Sequence, residues 1–321
     1  PEIIGLLRAH TDTLKSVEPD EGRYAEQARV AELAFQFQER GSTVGFVYQM
    51  APRLNEYPAE DLLAAPYLME GFKPDLIKDL LSRMTPDNVL VELAMPDFQS
   101  STVEPWFEVP FAIAQGPVPL TTADNPPLGL PAANPFLPES LSLLDPDDEA
   151  IALAIDQPGM QLWLDTDVSF TTPRANIAIE LAVPGGLVSL RDTSMASLFA
   201  RLVNDELTQS TYPALLAGLG YQLGATASGF GIRISGYNDK QSEFLAFVLD
   251  QLLTVPLAES RFNSIKQSLM RDLENAAKDK PYSQTLTALN NTLLSTSWPA
   301  QEQAALLADL TLADLNTWRS Q

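Results

Sequence analysis

The sequence predicts an α+β fold in which antiparallel or mixed sheet packs against helices, and three observations carry that prediction. Apolar residues alternate with period two in paired short segments beyond residue 160. Between and after those pairs they recur at three- and four-residue steps, the spacing of one helix face. A belt of prolines around residues 105–138 separates two stretches, each with its own pattern. Strand pairs followed by helix pairs give layers of sheet and helix.

In the first stretch, Ile3, Leu7, His10, Leu14 and Val17 fall on one face of an opening helix. His10 is the only histidine, and a lone imidazole on an apolar face reads as a packed, hydrogen-bonded structural residue. A second helix follows Asp20-Glu-Gly, with Tyr24, Ala28, Ala31 and Phe35 inward. Residues 41–52 read as less regular. Pro58-Ala-Glu-Asp-Leu and Lys73-Pro-Asp-Leu-Ile each put proline and acids in a first helical turn, which suits the positive end of a helix dipole. The second of these helices ends near Met84. Residues 89–95 are apolar enough for a buried strand, and a first domain closes over residues 1–98.

The next interval, residues 99–149, holds Pro105, Pro110, Pro117, Pro119, Pro126, Pro127, Pro131, Pro135 and Pro138. Each lacks a backbone donor and fixes its own φ, so an extended linker is expected. A second domain spans residues 150–321. In it Leu162 and Leu164 alternate with Trp163 and Asp165, and Ala175, Ile177, Ile179 and Leu181 alternate with Asn176, Ala178 and Glu180, giving two strands that end at Pro184-Gly-Gly. A helix from about Ser194 to Gln209 buries Leu198, Leu202 and Val203, and Pro213 opens a short helix closed by Gly218 and Gly220. Residues 221–227 read as a strand, Ser228-Gly229 as a turn, and Phe230, Ile232 and Ile234 as the inward side of the returning strand. Asn238 and Gln241 have the spacing of a capping box for a helix carrying Phe244, Leu245, Val248, Leu249 and Leu252. Further helices carry Phe262, Ile265, Leu269 and Leu273, then Leu286, Leu289 and Leu293, then Leu306, Leu307 and Leu310, before a last segment with Leu315 and Trp318.

Composition bounds the function. Apolar residues at 45% and charged residues at 19% are those of a globular protein. A formal net charge of -22 argues against nucleic acid and anionic membranes, which need cationic neutralisation. With no cysteine there is no disulfide, thiolate metal site or cysteine nucleophile. The chain opens Pro1-Glu-Ile-Ile without an initiator methionine and reads as a piece of a longer protein.

Leu216-Ala-Gly-Leu-Gly-Tyr-Gln-Leu, the returning strand and Gly236-Tyr-Asn-Asp-Lys-Gln241 resemble the third homologous domain of the insulinase/pitrilysin family of zinc peptidases. Tyr67-Leu-Met-Glu-Gly-Phe-Lys-Pro-Asp-Leu-Ile77, Pro86-Asp-Asn-Val89, Asn134-Pro-Phe-Leu-Pro138, Leu162-Trp-Leu-Asp-Thr-Asp167 and Arg261-Phe-Asn-Ser-Ile-Lys266 are similar to family segments in the same order. The resemblance implies two insulinase-like domains: the C-terminal part of the second in residues 1–98, incomplete, and the third in residues 150–321. It implies a parent metalloendopeptidase that degrades peptides in an enclosed chamber, with this segment as chamber wall and inter-half linker. Zinc, peptide substrates, missing N-terminal catalytic and C-terminal domains, and a periplasmic location all enter only through that resemblance, with the cytoplasm as the alternative compartment, since the absence of cysteine suits either.

The catalytic half of such an enzyme needs His-x-x-Glu-His on a helix, two imidazoles one turn apart with a glutamate to activate water. One histidine cannot supply it. Around Met195-Ala-Ser-Leu-Phe-Ala-Arg201, where the resemblance would look for ligands, stand apolar and small residues. No residue is therefore assigned as catalytic, cofactor-binding or metal-ligating, and the chain alone is expected to be inactive. Gly218-Leu-Gly-Tyr-Gln-Leu-Gly224 runs helix to strand, the wrong way for a dinucleotide loop. Asp165-Thr-Asp167 and Asp145-Pro-Asp-Asp-Glu149 lack the glycine and distal glutamate of a calcium loop and read as solvated turns. The alternative function is a non-enzymatic binding or assembly protein with a degenerate insulinase-type fold.

Overall fold

Helix signals in the first 83 residues produce four α-helices: α1 (Glu2–Ser16), α2 (Glu21–Gln36), α3 (Thr43–Arg53) and α4 (Pro74–Arg83). The computed structural model describes residues 2–38, 41–116, 129–143, 151–167 and 171–320. Contacts divide the chain into two compact units, residues 1–133 and 134–321.

In the first unit, Asp20 caps α2 by accepting from the Gly22 amide, and Ser42 caps α3 by accepting from the Gly45 amide. The α3 helix occupies the interval expected to be less regular; its cap lies just outside the segment's apolar run. The helix expected at Pro58 is instead a series of turns with a short 3-10 helix at Ala65–Tyr67. Residues 89–95 form no strand, and Leu90 is 91% exposed. A strand is a half-structure whose backbone groups need a neighbour, and no strand lies beside this segment among the described residues. Ile3 and Leu7 on α1 are likewise exposed. Leu33 is the one fully buried large apolar side chain among the described residues of this unit.

The second unit holds the core. The hairpin β1 (Ala152–Gln157) and β2 (Met160–Leu164) is a sheet of its own. A three-stranded antiparallel sheet has the order β3 (Arg174–Ala182), β5 (Gly229–Tyr237), β4 (Gly220–Ala225). Its register pairs Ile177 with Ile234 and Ile179 with Ile232 on β3 and β5, and Tyr221 with Ile234 and Leu223 with Ile232 on β4 and β5. Period-two alternation thus turns one apolar face onto helices α5 (Leu190–Leu216) and α6 (Gln241–Thr254), and α7 (Glu259–Ala276), α9 (Ala300–Asp309) and α10 (Leu312–Arg319) pack on α5 to complete the core. Between them, α8 (Pro281–Leu293) leaves Leu286, Leu289 and Leu293 exposed.

Pro213 does not open a new helix. It sits inside the 27-residue α5, which runs on to Leu216 and ends where Gly218 adopts φ +81. Gly220 already belongs to β4. Residues 134–143, expected to be linker, pack on this unit, with Phe136 against the core. Pro117, Pro119, Pro126, Pro127 and the acidic run Asp145-Pro-Asp-Asp-Glu149 lie outside the described residues. No helix among those described is long and apolar enough to cross a membrane.

Candidate functional site

Helix α5 carries Met195–Arg201, the run where the family resemblance would look for metal ligands. Ser189 caps it by accepting from the Asp192 amide, and the next turns bury Ser194, Met195, Ala196, Leu198, Phe199 and Ala200. These offer one hydroxyl and one thioether, while zinc takes imidazole, thiolate or carboxylate. The Ser194 hydroxyl is buried without a hydrogen-bond partner. The residues do not fit a zinc ion. Among the described residues no three His, Asp or Glu side chains converge. His10, on α1, is half-buried and has no hydrogen-bond partner among them, so the expected hydrogen bond is absent.

The sheet offers two edge strands, β3 and β4, and a polar outer face. On that face Glu180 of β3 accepts hydrogen bonds from the hydroxyls of Ser228 and Thr226 in the β4–β5 turn. The Ser228 bond, then the Thr226 bond, hold its carboxyl below the usual glutamate range. The depressed value means that this tie stabilises above the unfolded-state pKa and fades as pH falls through the folded one. An NMR titration is expected to put the Glu180 midpoint below that of ordinary exposed glutamates, and T226V/S228A to return it to their range; an unchanged midpoint in the double variant would remove the hydroxyls as the cause.

At the other end of the hairpin, residues 236–241 turn β5 into α6. Gly236 takes φ +123, and a Cβ there would lie 2.1 Å from the Gly218 carbonyl oxygen. Tyr237 covers Gly218 from the next position: a Cβ on Gly218 would meet its ring at 2.8 Å. The Arg174 guanidinium lies 5.2 Å from the Tyr237 ring centroid, and the Asn238 amide donates to the Pro173 carbonyl. The capping box is not formed. A 3-10 turn, Asn238–Lys240, precedes α6, and Gln241, 3% exposed, donates from Nε2 to the carbonyls of Ala175 at 2.6 Å and Gly236 at 2.9 Å. The amide needed at the strand ends is thus unavailable for the cap.

What this geometry defines is a helix-backed antiparallel sheet whose hairpin leads into a helix through a glycine-dependent junction. The same fold occurs in the crystal structure of pitrilysin, with a TM-score of 0.74 at 19% identity over 97% of this chain and 34% of that one. The sequence profile described as the middle or third domain of peptidase M16 matches residues 35–306. Insulin-degrading enzyme of Homo sapiens is 31% identical over a 330-residue alignment covering 100% of this chain and 32% of that protein. A nardilysin-like protein of Arabidopsis thaliana is 26% identical over 99% of this chain and 32% of its own length. The chain belongs to the peptidase M16 family, the insulinase/pitrilysin family of metallopeptidases. It spans about a third of the length of the curated relatives it matches.

Proposed function

We propose that the chain is the central, non-catalytic part of a zinc-dependent metalloendopeptidase that degrades peptides in an enclosed chamber, and that it supplies chamber wall and the connection between the halves. The observation that carries this reading is a peptidase-family match over residues 35–306 joined to a helix, α5, that buries no metal-ligand set. Residues 1–98 are then the C-terminal part of the second insulinase-like domain, residues 99–149 the linker, and residues 150–321 the third domain. The parent's zinc and its general base lie outside these residues. The parent's partners are peptide substrates, together with its own N-terminal catalytic and C-terminal domains. Edge strands β3 and β4 are the surfaces suited to an extended peptide, because their outer backbone groups can continue the sheet. We assign a periplasmic location through the family resemblance, and an export signal in the coding sequence is its test.

The isolated 321-residue chain is expected to bind no stoichiometric zinc by metal analysis and to cleave no fluorogenic peptide, whereas the complete parent does both. Metal-dependent cleavage by the purified chain would overturn the assignment of its role.

A further inference from the structure

The segment entering the second unit is docked like a peptide on the junction that follows the hairpin. Asn134 donates from Nδ2 to the Pro213 carbonyl on α5 at 2.8 Å, and its Oδ1 accepts the Phe136 amide at 3.0 Å. That local turn aims the Phe136 ring at α6, where it meets Phe244 edge-on at 5.3 Å and Phe247 at 6.5 Å between centroids. Three residues further on, Asp239 Oδ2 accepts the backbone amides of Glu139 at 2.8 Å and Ser140 at 3.3 Å. Lys240 Nζ pairs with Glu139 Oε1 at 2.8 Å, the lysine largely covered and the glutamate 83% exposed.

These contacts are not equal. An ion pair with one partner in solvent contributes little, whereas amide bonds to a carboxylate are charge-assisted and an aromatic ring in a core contact removes apolar surface from water. Asp239 and Phe136 therefore carry the docking. Each lies in a segment that bears the family resemblance, 236–241 and 134–138, and nothing in the chemistry of peptide cleavage uses either.

We propose that residues 236–247 form a docking site for residues 134–140, so that the linker of the proposed peptidase ends at Asn134 and the following strap belongs to the second unit. The proposal rests on the linker reading above and moves the C-terminal boundary of that linker from residue 149 to Asn134. Its consequence is mechanical: Asp239 and Phe136 set how much chain is left to span between the two units, and loss of either hands the strap back to the linker.

Hydrogen exchange on the full 321-residue chain tests this without any peptide cleavage, so its failure is distinct from failure of the peptidase reading. In the native chain the amides of Glu139 and Ser140 are expected to be protected. D239A is expected to raise their exchange about tenfold or more, the scale of one lost charge-assisted bond, with the β5 amides unchanged. F136A is expected to do the same, and to admit chymotryptic-type proteases no further into α6. K240Q is expected to change exchange by less than about threefold. Three results would overturn the proposal: no protection at 139 and 140 in the native chain, no change in either D239A or F136A, or loss of β5 protection together with the strap in both, which would make the contact inseparable from the unit's fold.

Discussion

Gly236→Ala is expected to lower the stability of the second unit by about 3–5 kcal/mol in urea unfolding, from a disfavoured backbone conformation plus overpacking. The added methyl would meet backbone, not a movable side chain: the Gly218 carbonyl oxygen at 2.1 Å and the Leu219 Cα at 3.0 Å, with φ at +123. Relief requires the end of α5 and the start of β4 to move away from β5, which opens the Gly220–Ser235 end of the ladder. Gly224→Ala is the control, because a Cβ there meets nothing within 4 Å and its φ is not left-handed; it should stay within about 1 kcal/mol. Equal effects of the two variants would show that the close approach at Gly236 does not matter.

Phe244→Ala is expected to cost about 3–5 kcal/mol, the range for deleting a buried aromatic and leaving a cavity. Phe244 is 1% exposed at the start of α6, edge-on to Phe136 and to Tyr221 of β4. It therefore joins the strap, the sheet and the helix in one contact. Phe244→Leu keeps most of the volume and should recover more than half of the loss; recovery of none would point to ring-edge geometry rather than filled space.

The sheet was legible because period two is a local code. Ile177, Ile179, Ile232 and Ile234 alternate in the sequence and meet across the β3–β5 ladder. The helix faces of α5, α6 and α7 were legible for the same reason, and Leu198, Leu202, Phe244, Val248 and Phe262 are buried. What local patterns could not decide was competition with distant groups. Gln241 has the spacing of a capping residue but serves two strand carbonyls. Pro213 carries a helix-start signal, yet helix packing against β4 and the bond from Asn134 hold the turn around it. Residues 89–95 have strand composition without a strand to pair with among the described residues. Residues 134–140 look like linker by proline content, and partners far along the chain, Pro213, Asp239 and Phe244, make them part of the fold.

The absence of an assigned reactive residue was a conclusion from composition, since one histidine and no cysteine leave little to work with. The junction at 236–241 carries part of the family resemblance, but its physical content is not readable from the sequence: Gly218, Arg174, Glu139 and Ala175, the partners of Gly236, Tyr237, Asp239 and Gln241, lie far along the chain.

The order of the three-stranded sheet also bears on how the chain is made. On the ribosome β4 and β5 emerge within a few seconds of each other and close over a three-residue turn, whereas β3 leaves the tunnel first and must wait for α5 and β4 to follow. A nascent nine-residue strand with one apolar face is open to mispairing with other nascent chains. Arg174 and Glu180 on its opposite face are charged positions of the kind that discourage such pairing, and in the folded sheet Arg174 lies against the Tyr237 ring while Glu180 accepts from the hydroxyls of Thr226 and Ser228.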